Sequence, residues 1–164
     1  MKNSLISRRS KLQDQGFRGF VTVVGLRKGG MTGIPASPGV YLVLRDGISF
    51  PKFRTPGTGG YFKGKDPNVS ISRLRQEWVA GAFVVYVGQS GNLQRRIGQL
   101  IQFGRGADIG HWGGRLVWQL AQAEELQLCW KEVVDNKPGD VKKDILKQFK
   151  LKYRGRRPFA NLKD

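Results

Sequence analysis

Cysteine and histidine are almost missing from this chain of 164 residues, which holds one of each, Cys129 and His111. One cysteine excludes an internal disulfide and any cysteine-cluster zinc site. One histidine excludes a multi-histidine metal centre. Within Leu126-Gln127-Leu128-Cys129-Trp130, Cys129 reads as a small core residue of a strand rather than a reactive thiol. Acidic side chains are also scarce, 12 against 29 Lys and Arg, a formal net charge of +17 distributed along the whole length. Such an excess calls for a polyanionic partner, and nucleic acid is the commonest, because neutralising phosphates releases counterions whatever the base sequence. No apolar run approaches the ~20 residues of a membrane span, and no apolar signal core follows the basic N-terminus, so a cytoplasmic location is expected. Met1 to Gln15 is basic but carries only scattered Leu5, Ile6 and Leu12, so a membrane surface is not the expected partner. Repeats and low-complexity tracts are absent as well.

The length suits one domain with a real core. A basic segment, residues 1–38, is expected to add a helix and a short strand, through Phe17-Arg18-Gly19-Phe20-Val21 and Val23-Val24, to a main unit spanning 39–164. Short runs rich in Val, Tyr and Phe predict strands at Gly39–Leu44 and Ala82–Val87, bounded by Pro38, Asp46-Gly47 and Ser90-Gly91. An insertion at about 46–81 separates them. It holds a Gly- and Pro-rich loop over 51–68 and a helix over 70–79 that Ser70 or Ser72 can cap, with Ile71, Leu74 and Trp78 along one side. Leu93, Ile97, Leu100 and Ile101 recur at helical spacing after the second strand. A short helix through Leu116, Trp118 and Leu120 then leads to a strand over 126–133. Pro138-Gly139-Asp140 opens a last helix with the stripe Val141, Ile145, Phe149 and Tyr153.

Within the insertion, Gly59-x4-Gly64-Lys65 has the spacing of a phosphate-cradling loop, but Asp66 stands where a magnesium-holding Ser or Thr belongs and Pro67 where a helix should propagate. No apolar strand precedes Gly59 either. A nucleotide is therefore not expected, and the stretch reads as a basic loop whose Lys63 and Lys65 could contact phosphates.

The two strands carry Gly39-Val40-Tyr41 and Tyr86-Val87-Gly88, and Asn92-Leu93 with Arg95-Arg96 follows directly. Tyr41 and Tyr86 could face each other across a small sheet, with Arg96 on the first turns of the next helix. The bland alternative is that they are a cross-strand packing pair. Phosphodiester hydrolysis needs an activated water, a cation for the developing charge and a way to stabilise the leaving oxygen. Arg96 offers a planar fork of donors to a scissile phosphate. A Tyr could act as base only if its pKa, about 10 unperturbed, were lowered by a metal or an Arg. His111, in a Gly-rich turn beside Trp112, could protonate a leaving 3′ oxygen, contact DNA or simply stack.

Taken together, these tripeptides, the Asn-Leu-x-x-Arg stretch and Arg157-Pro158-Phe159-Ala160-Asn161 resemble the GIY-YIG nuclease family over residues 39–161. The resemblance implies an α/β fold with a small, largely antiparallel central sheet of three strands flanked by helices. It also implies a DNA endonuclease using one Mg2+ or Mn2+ ion on double-stranded DNA, with a dimer on a palindromic target left open. In that family a catalytic Arg follows the second motif's Tyr by ten residues, which here is Arg96. Tyr41 corresponds to the likelier base, Tyr86 to a phosphate or water contact, and Asn161 to the family's Asn. Where the metal-binding Glu is expected, Gln148 stands. It is a deliberate replacement that silences the protein, a natural loss leaving a non-cleaving DNA-binding module, or a neighbour of the true ligand, in which case Asp144 one turn earlier would hold the metal. The first is preferred because the other family positions are filled. Arg95, Arg115 and Arg156 complete the candidate DNA contacts.

Overall fold

The computed structural model describes residues 2–164, with side chains from Arg8 onward. Helix α1 (Lys2–Asp14) leads into β1 (Arg18–Thr22) and α2 (Val23–Gly29), and β2 (Gly39–Leu44) carries the first tripeptide. The insertion holds α3 (Ile71–Glu77); then come β3 (Val84–Ser90), α4 (Leu93–Phe103), a 3-10 segment (Trp112–Gln119), β4 (Gln127–Glu132) and α5 (Pro138–Lys152). The sheet is antiparallel throughout and has four strands in the order β1-β4-β2-β3, one more than the resemblance implies. The extra strand is β1, so the basic N-terminal segment is built into the main sheet rather than laid upon it.

Helix starts follow local chemistry. Ser70 accepts a hydrogen bond from Arg73 N at 3.1 Å, and the Asn92 side chain accepts one from Arg95 N at 2.9 Å; each satisfies an otherwise orphaned first-turn donor. At α5, Pro138 occupies the first turn together with Asp140, and no side-chain cap forms, so Asp140 faces the helix dipole rather than capping it. The segment through Leu116 and Trp118 is 3-10 rather than α.

Strand β2 is central, and all six of its residues are buried. Its side chains alternate between two cores. Val40, Leu42 and Leu44 face Phe17, Phe20, Cys129 and the α5 residues Val141, Ile145 and Leu146. Tyr41 and Val43 face the other way, into a core built from α2, α4 and the 3-10 segment. The outer edge of β3 is closed by the C-terminal segment. Ala160 N donates to Val85 O at 2.9 Å, and the Asn161 side chain accepts from Val87 N at 2.8 Å and donates to Val87 O at 2.9 Å. That covers an edge which would otherwise present unpaired backbone. Among the described residues no helix is long and apolar enough to cross a membrane.

Candidate active site

Register, more than proximity in sequence, brings the two tyrosines together. Tyr41 pairs with Gly88 and Tyr86 with Val43, so the rings are diagonal neighbours on one face, their centroids 6.1 Å apart. Gly88, last residue of the second tripeptide, is required by this arrangement: a Cβ there would lie 2.1 Å from the Tyr41 ring. Gly39 is similarly pressed, against the Lys131 carbonyl. The glycines that end and begin the two tripeptides are thus spaces for neighbours, an assignment the sequence pattern alone did not make.

His111 completes the cluster. Its ring is wholly buried, and its Nε2 lies 2.7 Å from the Tyr41 hydroxyl. Both phenols approach the imidazole edge-on, with centroids 6.3 Å and 5.9 Å from it. Gly113 and Gly114 make room: a Cβ on Gly113 would be 3.4 Å from the Tyr86 hydroxyl, and one on Gly114 would be 3.0 Å from the imidazole. Arg96, half-buried on α4, donates to Gly110 O at 2.5 Å and to the Gln99 side chain at 3.0 Å. The guanidinium is thereby tied to the residue just before His111.

Electrostatics follow from this enclosure. Burial, and then the neighbouring Tyr86, push the Tyr41 phenol well above its ordinary pKa, and Arg96 opposes them only in part. Tyr86 is raised by burial as well, again against Arg96. Burial, seconded by the Arg96 charge, lowers His111 to about 3, so at neutral pH the imidazole is uncharged. Its Nδ1 is buried without a hydrogen-bond partner among the described residues. An enclosed, neutral His111 is neither a DNA contact nor a resting proton donor; it is a buried partner of Tyr41. The tyrosines therefore lie within the core on the α4 side of the sheet, with Arg96 on α4 beside them.

Other expected site residues divide by location. Lys63 and Lys65 are exposed on a loop that rides over the segment leading to His111: Gly60 N donates to Phe103 O at 2.9 Å, and Lys63 N donates to the Asp108 carboxylate at 3.1 Å. In that loop a Cβ on Gly59 would meet the Phe103 ring at 2.8 Å and one on Gly60 the Ala107 carbonyl at 2.0 Å, so these glycines serve close packing. Arg115 lies over the Trp112 ring at 4.6 Å, its pKa lowered by burial and then by Arg73. Arg95 is exposed one position before Arg96. Arg156 is more remote, donating to the Gln76 carbonyl at the end of α3 and lining a small cavity with Glu77, Lys150 and Arg157.

Three expected site residues are not brought to the tyrosines. Asn161 is spent on both backbone groups of Val87, at the sheet edge. Gln148 is exposed and lines a groove with Arg8, Leu12, Ile145 and Phe149. That groove lies on the α5 side of the sheet, whereas Tyr41 and Tyr86 belong to the opposite core. Asp144, also on α5, is exposed to solvent. Among the described residues no group of three or more His, Cys, Asp or Glu could hold a metal ion. The two side chains expected to hold an Mg2+ or Mn2+ ion, Gln148 and Asp144, thus lie on α5 across the sheet from the tyrosines and do not fit an ion beside them. Residues the sequence did not single out are Gln99 and the Gly110 carbonyl; Gly88 was named within its tripeptide, without its role of leaving room for the Tyr41 ring. No protein-family model, curated protein or solved structure matches the chain.

Proposed function

We propose that this chain binds double-stranded DNA and that the Tyr41–Tyr86–Arg96–His111 cluster is a phosphodiester-cleaving site of the GIY-YIG type, a DNA endonuclease of low activity in its present form. The observation that carries the reading is the 2.7 Å contact between the Tyr41 hydroxyl and a neutral His111 Nε2, beside a tethered Arg96. A lone cross-strand packing pair would need neither.

The chemistry follows from the residues. Tyr41 retains its proton at neutral pH and can donate it to bare Nε2 of His111. As a water oxygen attacks phosphorus, the water proton passes to the Tyr41 oxygen and the phenol proton to His111, and the 3′ oxygen leaves. The departing 3′ oxygen takes a proton from solvent water and His111 then returns its own proton to that solvent, so one P–O bond replaces another and every proton is accounted for. Arg96 donates to the non-bridging oxygens as charge builds on them. A phosphate arriving at Arg96 also offsets the cation that helps hold His111 down, which raises the imidazole's basicity at the moment a proton must be taken. Low activity is the consequence of a Tyr41 that is completely enclosed and of side chains that do not fit a metal.

A second reading is a DNA-binding module that does not cut, favoured by the same enclosure of Tyr41. Plasmid nicking with and without magnesium or manganese separates the two. Slow nicking that Arg96→Ala and Tyr41→Phe each abolish, with DNA affinity retained, is the expected result. Binding without nicking in every metal supports the module. Nicking that survives both substitutions places the site elsewhere.

A further inference from the structure

The loop after β2 projects two large apolar side chains, Ile48 at 62% and Phe50 at 61% exposed, the most exposed pair of neighbouring apolar residues among those described. It is a built feature rather than a slack one. Arg45 donates to Ser49 O at 2.8 Å and reaches Gly47 O at 3.5 Å, while its guanidinium lies over the Trp78 ring at 5.4 Å. Phe50 stands edge-on against Phe53 and Trp78, centroids 5.9 Å and 6.4 Å away, and these two rest in turn on buried Phe159. Phe50 thus stands on a base of three aromatic rings, with exposed Ile48 two residues before it on the same loop.

We propose that the Gly47–Phe50 loop is a stacking wedge that inserts Phe50 and Ile48 at a base-pair step of double-stranded DNA. The inference rests on the duplex-DNA reading above. Charge complementarity favours this occupant: Lys52 and Arg54 are exposed on the same segment as the wedge and Arg45 clamps it, three cations against the two carboxylates nearby, Asp46, which accepts from Gln127 at 2.8 Å, and Glu125. Cations flanking an apolar side chain suit phosphates flanking a base step, where Phe and Ile are used to unstack and kink a duplex. A second copy of this chain is a poorer occupant, since two such side chains expose only about 250 Å² together, against roughly 1,000 Å² for a specific protein interface.

The test uses the full chain, short duplexes carrying 2-aminopurine at successive positions, and the variants Phe50→Ala, Ile48→Ala and Phe50→Trp. Wild type is expected to raise 2-aminopurine fluorescence at one step, and Phe50→Ala and Ile48→Ala to lose that rise. Affinity should fall roughly tenfold to a hundredfold in the alanine variants, as for loss of a base-stacking side chain. The slope of affinity against salt should stay as in wild type, because no phosphate contact is removed. Phe50→Trp should keep both the signal and the affinity. Circular dichroism establishes that the variants fold, which their exposed positions favour. Alanine variants that bind and unstack like wild type overturn the wedge and leave the DNA reading standing. Wild type that binds no duplex overturns the DNA reading and the wedge with it. Light scattering that shows a dimer dissociated by Phe50→Ala overturns the wedge in favour of a second copy.

Discussion

The single histidine allows an unusually direct test of the buried cluster. His111 is held near pKa 3 in the folded chain against 6.5 when free, first by burial and then by Arg96. Above pH 6.5 neither folded nor unfolded chain binds this proton, and the stability is complete. As pH falls from 6.5 towards 3, only the unfolded chain takes up the proton, so stability declines; below 3 both bind it and the decline stops. One proton taken up over that span gives a loss of about 2 kcal/mol at pH 5 relative to pH 8, since each unit is worth about 1.4 kcal/mol. For a chain of this size that lowers the midpoint of thermal unfolding by roughly 4–8 °C. Ordinary carboxylates titrate mostly below pH 5, so the window from 6.5 to 5 belongs to His111 alone. Denaturant unfolding at pH 8, 6.5, 5.8 and 5 measures the slope, and the one imidazole resonance in a proton NMR titration measures the folded-state value independently. His111→Gln, which keeps a polar group near the Tyr41 hydroxyl, should be almost flat over the same range. Superimposable pH profiles for wild type and His111→Gln, or an imidazole titrating near 6.5, would refute the enclosed, neutral histidine and with it the proton acceptor proposed for Tyr41.

Further outcomes concern neighbouring residues. Tyr41→Phe should cost about 1–3 kcal/mol in denaturant unfolding, because it strands the buried Nε2 of His111 beside an already unpartnered Nδ1. Gly88→Ala should be worse than an ordinary strand Gly→Ala change, by about 1–3 kcal/mol, because the new methyl enters the Tyr41 ring; a neutral result in the same assay would show that the ring can move. Asn161→Ala should lower stability by about 2–4 kcal/mol through loss of both bonds to Val87, yet leave the affinity of the folded protein for DNA unchanged in a binding titration. Gln148→Glu should leave nicking and stability as they were, since the side chain is exposed on the far side of the sheet; a gain of metal-dependent cleavage would show that α5 reaches the tyrosines after all. Affinity for duplex DNA should fall by orders of magnitude between low and moderate salt in a titration, given 29 basic against 12 acidic side chains.

Much of this architecture could be read locally. The alternation of Val, Tyr and Leu marks β2, the spacing of Leu93, Ile97, Leu100 and Ile101 marks the buried face of α4, and Asn92 announces its start; each depends on interactions within a few residues. A net charge of +17 and lone Cys129 and His111 were likewise settled by composition. The site needed more. That Tyr41 touches Tyr86 depends on the register of β2 against β3, with its irregularity between Val43 and Leu44, and register is a property of two strands and not of either. That His111 belongs to this pair depends on a loop returning from 70 residues away, pinned by Arg96 through the Gly110 carbonyl. The apolar stripe on α5 was legible in part: Phe149 is buried and Val141, Ile145 and Tyr153 partly so, while Leu146, outside the expected stripe, is buried as well. Which side of the sheet receives that stripe was not, because both sides of β2 are apolar and either could have accepted the helix. The chain's own pattern thus determined which segments bury a face, and only the packed sheet, by placing α4 and His111 on one side and α5 on the other, decided which polar side chains could meet.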